Sequence, residues 1–223
     1  MTLPRAVLFD MDGTLVDTEA LWVAGERRIF EQVGATFTEK MLQPLVGVSL
    51  DEGAELIREF TGISWSNERI NGFLIDEVVA GLRHSIPWLS GIKFFLRMLR
   101  TEGIPSVVVT SSPREMAEVI MVDAEPGTFV GLVPGDEVTN TKPHPEPYLK
   151  ACELAGVTPS QCLAIEDSPT GVASAIAAGV VTVAIPNQIQ VPKLEGLSRI
   201  SSIKELDADL LHHLMAGGIV DTV

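Results

Sequence analysis

Three short apolar runs in this chain end in residues that can do chemistry. Ala6-Val7-Leu8-Phe9 leads into Asp10, Ser106-Val107-Val108-Val109 into Thr110, and Cys162-Leu163-Ala164-Ile165 into Glu166-Asp167. The first continues as Asp10-Met11-Asp12-Gly13-Thr14. In an extended segment residues i and i+2 share a face, so the Asp10 and Asp12 carboxylates point one way and Met11 the other. Gly13 then permits a sharp turn. Crowded carboxylates repel unless a cation sits among them, and hard oxygen donors suit Mg2+. A carboxylate beside such an ion can act as a nucleophile. Lys142, in Thr141-Lys142-Pro143-His144-Pro145, brings a positive charge on a proline-stiffened loop. Ser112-Pro113-Arg114-Glu115 reads as a capping box with Pro at the first helical position, so the amides of that helix favour an anion. This set of groups suits phosphoryl transfer, where catalysis is mainly positioning and charge neutralisation.

The elements that must position these residues are legible as well. Apolar, β-branched runs recur at 6–9, 107–109, 129–133, 162–165 and 180–185. They are apolar throughout, as parallel strands buried on both faces are. Helical patterns separate them: Ile92, Phe95, Leu96 and Leu99 fall on one face, and Ser168-Pro169 opens a later helix. The expected fold is an α/β, doubly wound parallel sheet. In open sheets of this kind ligands sit beyond the carboxyl ends of the strands, where Asp10, Thr110 and Glu166/Asp167 converge. The alternation stops between about Val16 and Ser85, where only helices are expected: 18–33, 39–45, 49–60 (capped by Ser49-Leu50-Asp51-Glu52) and 66–83. The expected division is a core of residues 1–16 plus 87–223, with an all-helical cap of residues 17–86 inserted after the first strand.

Asp10-Met-Asp-Gly-Thr-Leu-Val-Asp-Thr-Glu19 resembles motif I of the haloacid dehalogenase (HAD) superfamily, Thr110 its motif II, Lys142-Pro143 its motif III and Glu166-Asp167 its motif IV. The helical insert resembles the family's C1 cap. The resemblance implies that Asp10 is the nucleophile and that Asp12 is the acid/base. It implies that Thr110, Ser111 and Lys142 hold the transferring phosphoryl group, with Lys142 also restraining Asp10. It further implies Mg2+ on the Asp10 carboxylate, the Asp12 backbone carbonyl and Asp167, with Glu166 binding directly or through water. Asp12 resembles the phosphatase and mutase pattern, since dehalogenases and phosphonatases lack this second aspartate. β-Phosphoglucomutases carry a His where this chain has Trp22, and an Arg where it has Leu50. The expected activity is therefore a Mg2+-dependent phosphatase acting on a small sugar or polyol phosphate through an aspartyl phosphate, with a β-phosphoglucomutase-type mutase as the alternative. Specificity is expected in the first cap helix and around Gly47–Leu50.

Composition narrows the remaining classes. Sixteen Lys and Arg against thirty Asp and Glu leave a net charge of −14 in 223 residues, which disfavours nucleic acid and anionic membrane as partners. Ser168–Pro192 is free of charge over 25 residues, but Gly171, Gly179, Pro186 and Asn187 interrupt it, so helix followed by buried strand is expected instead of a membrane span. Cys152 and Cys162 lack metal-ligand spacing and read as buried, reduced thiols. His212, His213, Arg27 and Arg28 read as solvent-facing, and Trp22 and Trp88 as packing residues. A cytoplasmic protein, monomeric or weakly dimeric, is expected. A receiver-type signalling module is shorter, lacks a helical insert and needs no Asp12.

Overall fold

The structure is a computed structural model that describes residues 3–45 and 48–223. It divides into two compact units, one of residues up to Asp17 together with Pro87–Val223, the other of Thr18–Ile86.

The larger unit is built on six parallel strands, among the described residues: β1 (Ala6–Phe9), β2 (Ser106–Val109), β3 (Phe129–Val133), β4 (Cys162–Glu166), β5 (Val181–Ala184) and β6 (Ser198–Arg199). Their order across the sheet is β3-β2-β1-β4-β5-β6. The chain builds outward from β1 in one direction, then restarts at β4 on its other side. This reversal is the switch point at which doubly wound sheets open a crevice. Because β1 pairs with both β2 and β4, the ends carrying Asp10, Thr110 and Glu166 lie on adjacent strands. β1, β2 and β4 are buried along their whole length, which explains their unbroken apolar character. β6 has two residues, too few for a pattern in the sequence, and forms by pairing beside β5.

The helices of this unit are α5 (Ile92–Thr101), α6 (Arg114–Asp123), α7 (Glu146–Ala155), α8 (Pro169–Ala177) and α9 (Ala208–Met215), numbered after four in the insert. α5 buries Ile92, Phe95, Leu96 and Leu99, the face expected of it. Tyr148, Ala151 and Cys152 of α7 pack with Ala6, Leu8, Val107 and Val109 in one apolar cluster. The uncharged stretch 168–192 contains α8 and β5, and no helix among the described residues is long and apolar enough to cross a membrane. Cys152 and Cys162 are buried free thiols that share a hydrogen bond, their sulfurs 3.5 Å apart. His213 is exposed in the last turn of α9, while His212 is half-buried.

The smaller unit is helical: α1 (Glu19–Gln32), α2 (Glu39–Leu42) running into a 3-10 turn at Gln43–Leu45, α3 (Leu50–Thr61) and α4 (Asn67–His84). Ser49 and Glu52 close a full capping box on α3, as their spacing requires. Ile29, Phe30, Ala54, Ile57, Ile70 and Leu74 form its core, with Trp22 packed against them. Arg28 pairs with Glu77, and Arg27 lies 4.7 Å from the Phe37 ring centre. Of the segment expected to set specificity, Gly47 lies outside the described residues.

Candidate active site

Asp10 follows the last residue of β1, and its amide donates to the Ile165 carbonyl at 3.0 Å, which ties it to β4. Its side chain is almost wholly buried. Lys142 approaches from the loop between β3 and α7, immediately before a cis Lys142–Pro143 peptide. The ammonium donates to Asp10 Oδ1 at 2.7 Å, Glu166 Oε1 at 2.6 Å and the Val109 carbonyl at 2.9 Å. One cation thereby joins the ends of β1, β2 and β4. Burial opposes its charge, but the Asp10 and Glu166 carboxylates outweigh that and raise the Lys142 pKa above its ordinary value.

Asp167 stands beside this pair. Asp10, Glu166 and Asp167 each offer a carboxylate oxygen, and the three oxygens lie within 4.8 Å of one another. Burial raises the Asp167 carboxyl to about 8, reinforced by the Asp10 and Glu166 charges. Burial likewise raises Glu166 to about 7, with Lys142 pulling against it. Positive charge placed among these carboxylates would oppose both shifts. Asp10 Oδ2 is buried without a hydrogen-bond partner, which leaves one carboxylate oxygen free. Three crowded hard oxygen donors fit a Mg2+ ion, which would neutralise that excess of negative charge.

Two glycines make this crowding possible. Gly13 turns the chain with φ +83°, and a Cβ there would fall 2.1 Å from Asp167 Oδ2. At Gly171, in the first turn of α8, a Cβ would come within 2.1 Å of both Glu166 carboxylate oxygens. Ser168 caps α8 through the Gly171 amide and donates to Glu166 Oε2 at 3.3 Å. Tyr148 donates its buried hydroxyl to Glu166 Oε1 at 2.5 Å. Asn187, beyond β5, donates to the Gly13 carbonyl at 3.2 Å.

Asp12 belongs to a neighbouring network. Its Oδ2 accepts from Ser112 Oγ at 2.7 Å and from Thr110 Oγ1 at 3.4 Å, while the Ser112 amide donates to Thr110 Oγ1 at 2.9 Å. Met11 is fully buried, as expected of the residue pointing away. Ser111 is exposed next to these groups, and the close approach of Gly135 to its carbonyl fits the loop against β3. The capping box expected at Ser112 does not form. α6 starts at Arg114 with Pro113 before it and no side-chain cap. The Arg114 amide is taken by Asp136 Oδ1 at 3.1 Å, and the Ser112 hydroxyl faces Asp12 instead.

Asp10, Asp12, Thr110, Lys142, Glu166 and Asp167 thus meet at the carboxyl ends of β1, β2 and β4, with Ser111 adjacent. Sequence reasoning missed Tyr148, Ser112, Asn187 and Ser168 as members of the site. Position after Lys142-Pro143 was a usable signal for Tyr148; for Asn187 nothing short of the fold was.

The doubly wound sheet thus carries paired aspartates after its first strand, a lysine clamp, and an acidic pair at the end of its fourth, the scaffold of a hydrolase class. Residues 7–185 match the haloacid dehalogenase-like hydrolase family, and the chain belongs to it. Relatives include a phosphorylated carbohydrates phosphatase from Thermotoga maritima, 34% identical over 79% of this chain and 82% of that protein. Hexitol phosphatase B from Escherichia coli K12 is 27% identical over 83% of this chain and 86% of that protein. Among solved structures, a HAD-superfamily hydrolase of subfamily IA, variant 1, from Geobacter sulfurreducens superimposes with a TM-score of 0.74 at 26% identity, covering 94% of this chain and 98% of that one. A β-phosphoglucomutase from Clostridium difficile shares the fold, with a TM-score of 0.74 at 22% identity over 96% of this chain and 98% of that one.

Proposed function

We propose that the chain is a Mg2+-dependent phosphomonoesterase that hydrolyses a small sugar or polyol phosphate through an aspartyl phosphate on Asp10. The observation that carries this reading is the Lys142 clamp, with its ammonium on Asp10 Oδ1 and Glu166 Oε1 while Asp10 Oδ2 stays free. A nucleophile must be held still without losing the lone pair it attacks with, and one donor on one oxygen does that. Asp10 attacks the phosphorus, and the ester P–O bond breaks. Asp12 delivers a proton to the departing oxygen, then takes one from the water that cleaves the aspartyl phosphate. Thr110, Ser111 and Lys142 bind the transferring oxygens. Asp10, the Asp12 carbonyl, Asp167 and Glu166, directly or through water, would hold Mg2+, which supplies charge neutralisation at the phosphoryl oxygens. In this reading the helical insert is a cap that sets specificity, and the phosphatase relatives named above support a phosphorylated carbohydrate as the substrate class.

Release of inorganic phosphate from a panel of phosphate esters, with EDTA and with Mg2+ restored, tests the proposal. Activity that survives complete metal removal, or an Asp10→Asn variant as active as the wild type, refutes it. Hexose 1- and 6-phosphate interconversion stimulated by a bisphosphate, with little phosphate released, would instead identify a mutase. Trp22 and Leu50, where mutases carry His and Arg, speak against that outcome.

A further inference from the structure

Ser112 reads in sequence as a helix cap, yet in the structure its hydroxyl caps nothing. It donates to Asp12 Oδ2 at 2.7 Å, clearly shorter than the 3.4 Å from Thr110. Backbone bonds fix its position on both sides: its amide donates to Thr110 Oγ1 at 2.9 Å, and its carbonyl accepts from the Gly135 amide at 3.0 Å. The hydroxyl is thus a rigidly mounted donor aimed at the second aspartate.

We propose that Ser112 is a positioning residue for Asp12, an assignment that rests on reading Asp12 as the acid/base of a phosphatase. A general acid is useful only when its proton lies within hydrogen-bond reach of the departing oxygen. The carboxyl group rotates freely about its last bond unless something holds one oxygen. A hydroxyl donating to Oδ2 supplies that hold and disfavours protonation of the oxygen it occupies, so the catalytic proton resides on the other. The proton moves from that oxygen to the leaving alkoxide as the ester P–O bond breaks and the Asp10 O–P bond forms. In the second half it returns from water as the water oxygen bonds to phosphorus, the Asp10 O–P bond breaks and phosphate leaves. Ser112 neither gains nor loses a proton in either half.

The consequence is a dependence on the leaving group. An alkoxide must be protonated to depart, whereas a nitrophenolate departs without help. A residue that merely supports the fold, or that grips the phosphoryl group, affects both esters alike.

The experiment compares kcat/KM, which reports the first half-reaction, for sorbitol 6-phosphate and p-nitrophenyl phosphate in the wild type, Ser112→Ala and Ser112→Thr. Loss of one hydrogen bond to a charged group predicts a roughly 10- to 100-fold drop for Ser112→Ala on the hexitol ester, against less than roughly 3-fold on the aryl ester. Ser112→Thr, which keeps the hydroxyl, restores the hexitol ester activity. Equal losses on both esters, or an unchanged hexitol ester rate, overturn the Ser112 assignment while leaving the phosphatase reading intact. A wild type that hydrolyses neither ester overturns the phosphatase reading, and this assignment with it.

Discussion

Replacing Lys142 with Met keeps most of its apolar stem and removes its charge, and the geometry of the clamp sets the size of the effect. The ammonium is 5% exposed and bonded to two carboxylates, at 2.7 Å and 2.6 Å. At an effective dielectric near 20, two unit charges 2.7 Å apart attract by about 6 kcal/mol, a gain largely offset by the cost of burying them. Removing one partner of such a set leaves the others uncompensated, which costs about 3–5 kcal/mol. The penalty must depend on pH. The Lys142 pKa is raised above its unfolded value, so its contribution is fully present below the unfolded pKa and stays so across the range where proteins are studied. Glu166 and Asp167 are raised to about 7 and about 8, so the folded protein takes up protons there as pH falls, and without the lysine it does so more readily still. Protonated carboxyls no longer need the cation. Urea unfolding in EDTA should give a destabilisation of about 3–5 kcal/mol at pH 9, shrinking below pH 6 toward about 1–2 kcal/mol, the worth of the hydrogen bonds alone. A difference that is the same at both pH values, or below about 1 kcal/mol at pH 9, refutes the reasoning.

Four other substitutions test separate parts of the structure. Gly171→Ala places a methyl within 2.1 Å of both Glu166 oxygens and should lower the phosphatase rate at least tenfold; Gly72→Ala, in the middle of α4 with open space around it, should raise stability by up to about 1 kcal/mol in a thermal melt. Tyr148→Phe removes the hydroxyl from Glu166 and should cost about 1–3 kcal/mol in urea unfolding. Glu26, buried in α1, has its carboxyl raised to about 7 by burial and, to a lesser degree, by Glu19. A carboxyl raised above its unfolded value favours folding below that value and loses the benefit as pH climbs through 7. Glu26→Gln should therefore stabilise the protein by up to about 3 kcal/mol at pH 8.5 and by little at pH 4.5, measured by urea unfolding at the two pH values.

The apolar runs at 6–9 and 162–165 announce buried strands because a strand covered on both faces has no polar side to show. The alternation of runs and amphipathic segments implies a parallel sheet, and the helical tract after Asp17 implies an insert. β6 escaped because its two residues are held by pairing and carry no pattern of their own. The Ser112 capping box was misread because a serine before Pro-x-Glu has the right local chemistry, while the competing acceptor, Asp12, lies a hundred residues away in the chain.

The residue types that meet in the candidate site lie in short strings whose chemistry is intrinsic: Asp10 and Asp12 two apart, Glu166 next to Asp167, Lys142 before a proline. Local sequence determines them because spacing within one extended segment already sets which side chains share a face. Partnership is different. That Lys142 divides its protons between Asp10, Glu166 and the Val109 carbonyl, that Tyr148 faces Glu166, and that Ser112 faces Asp12 are decisions of the tertiary structure. They depend on β1 lying between β2 and β4, and on two glycines letting backbone and carboxylate approach where a Cβ would collide. Strand order is a property of the packed sheet, set by the burial of every strand at once, and no segment of the chain contains it.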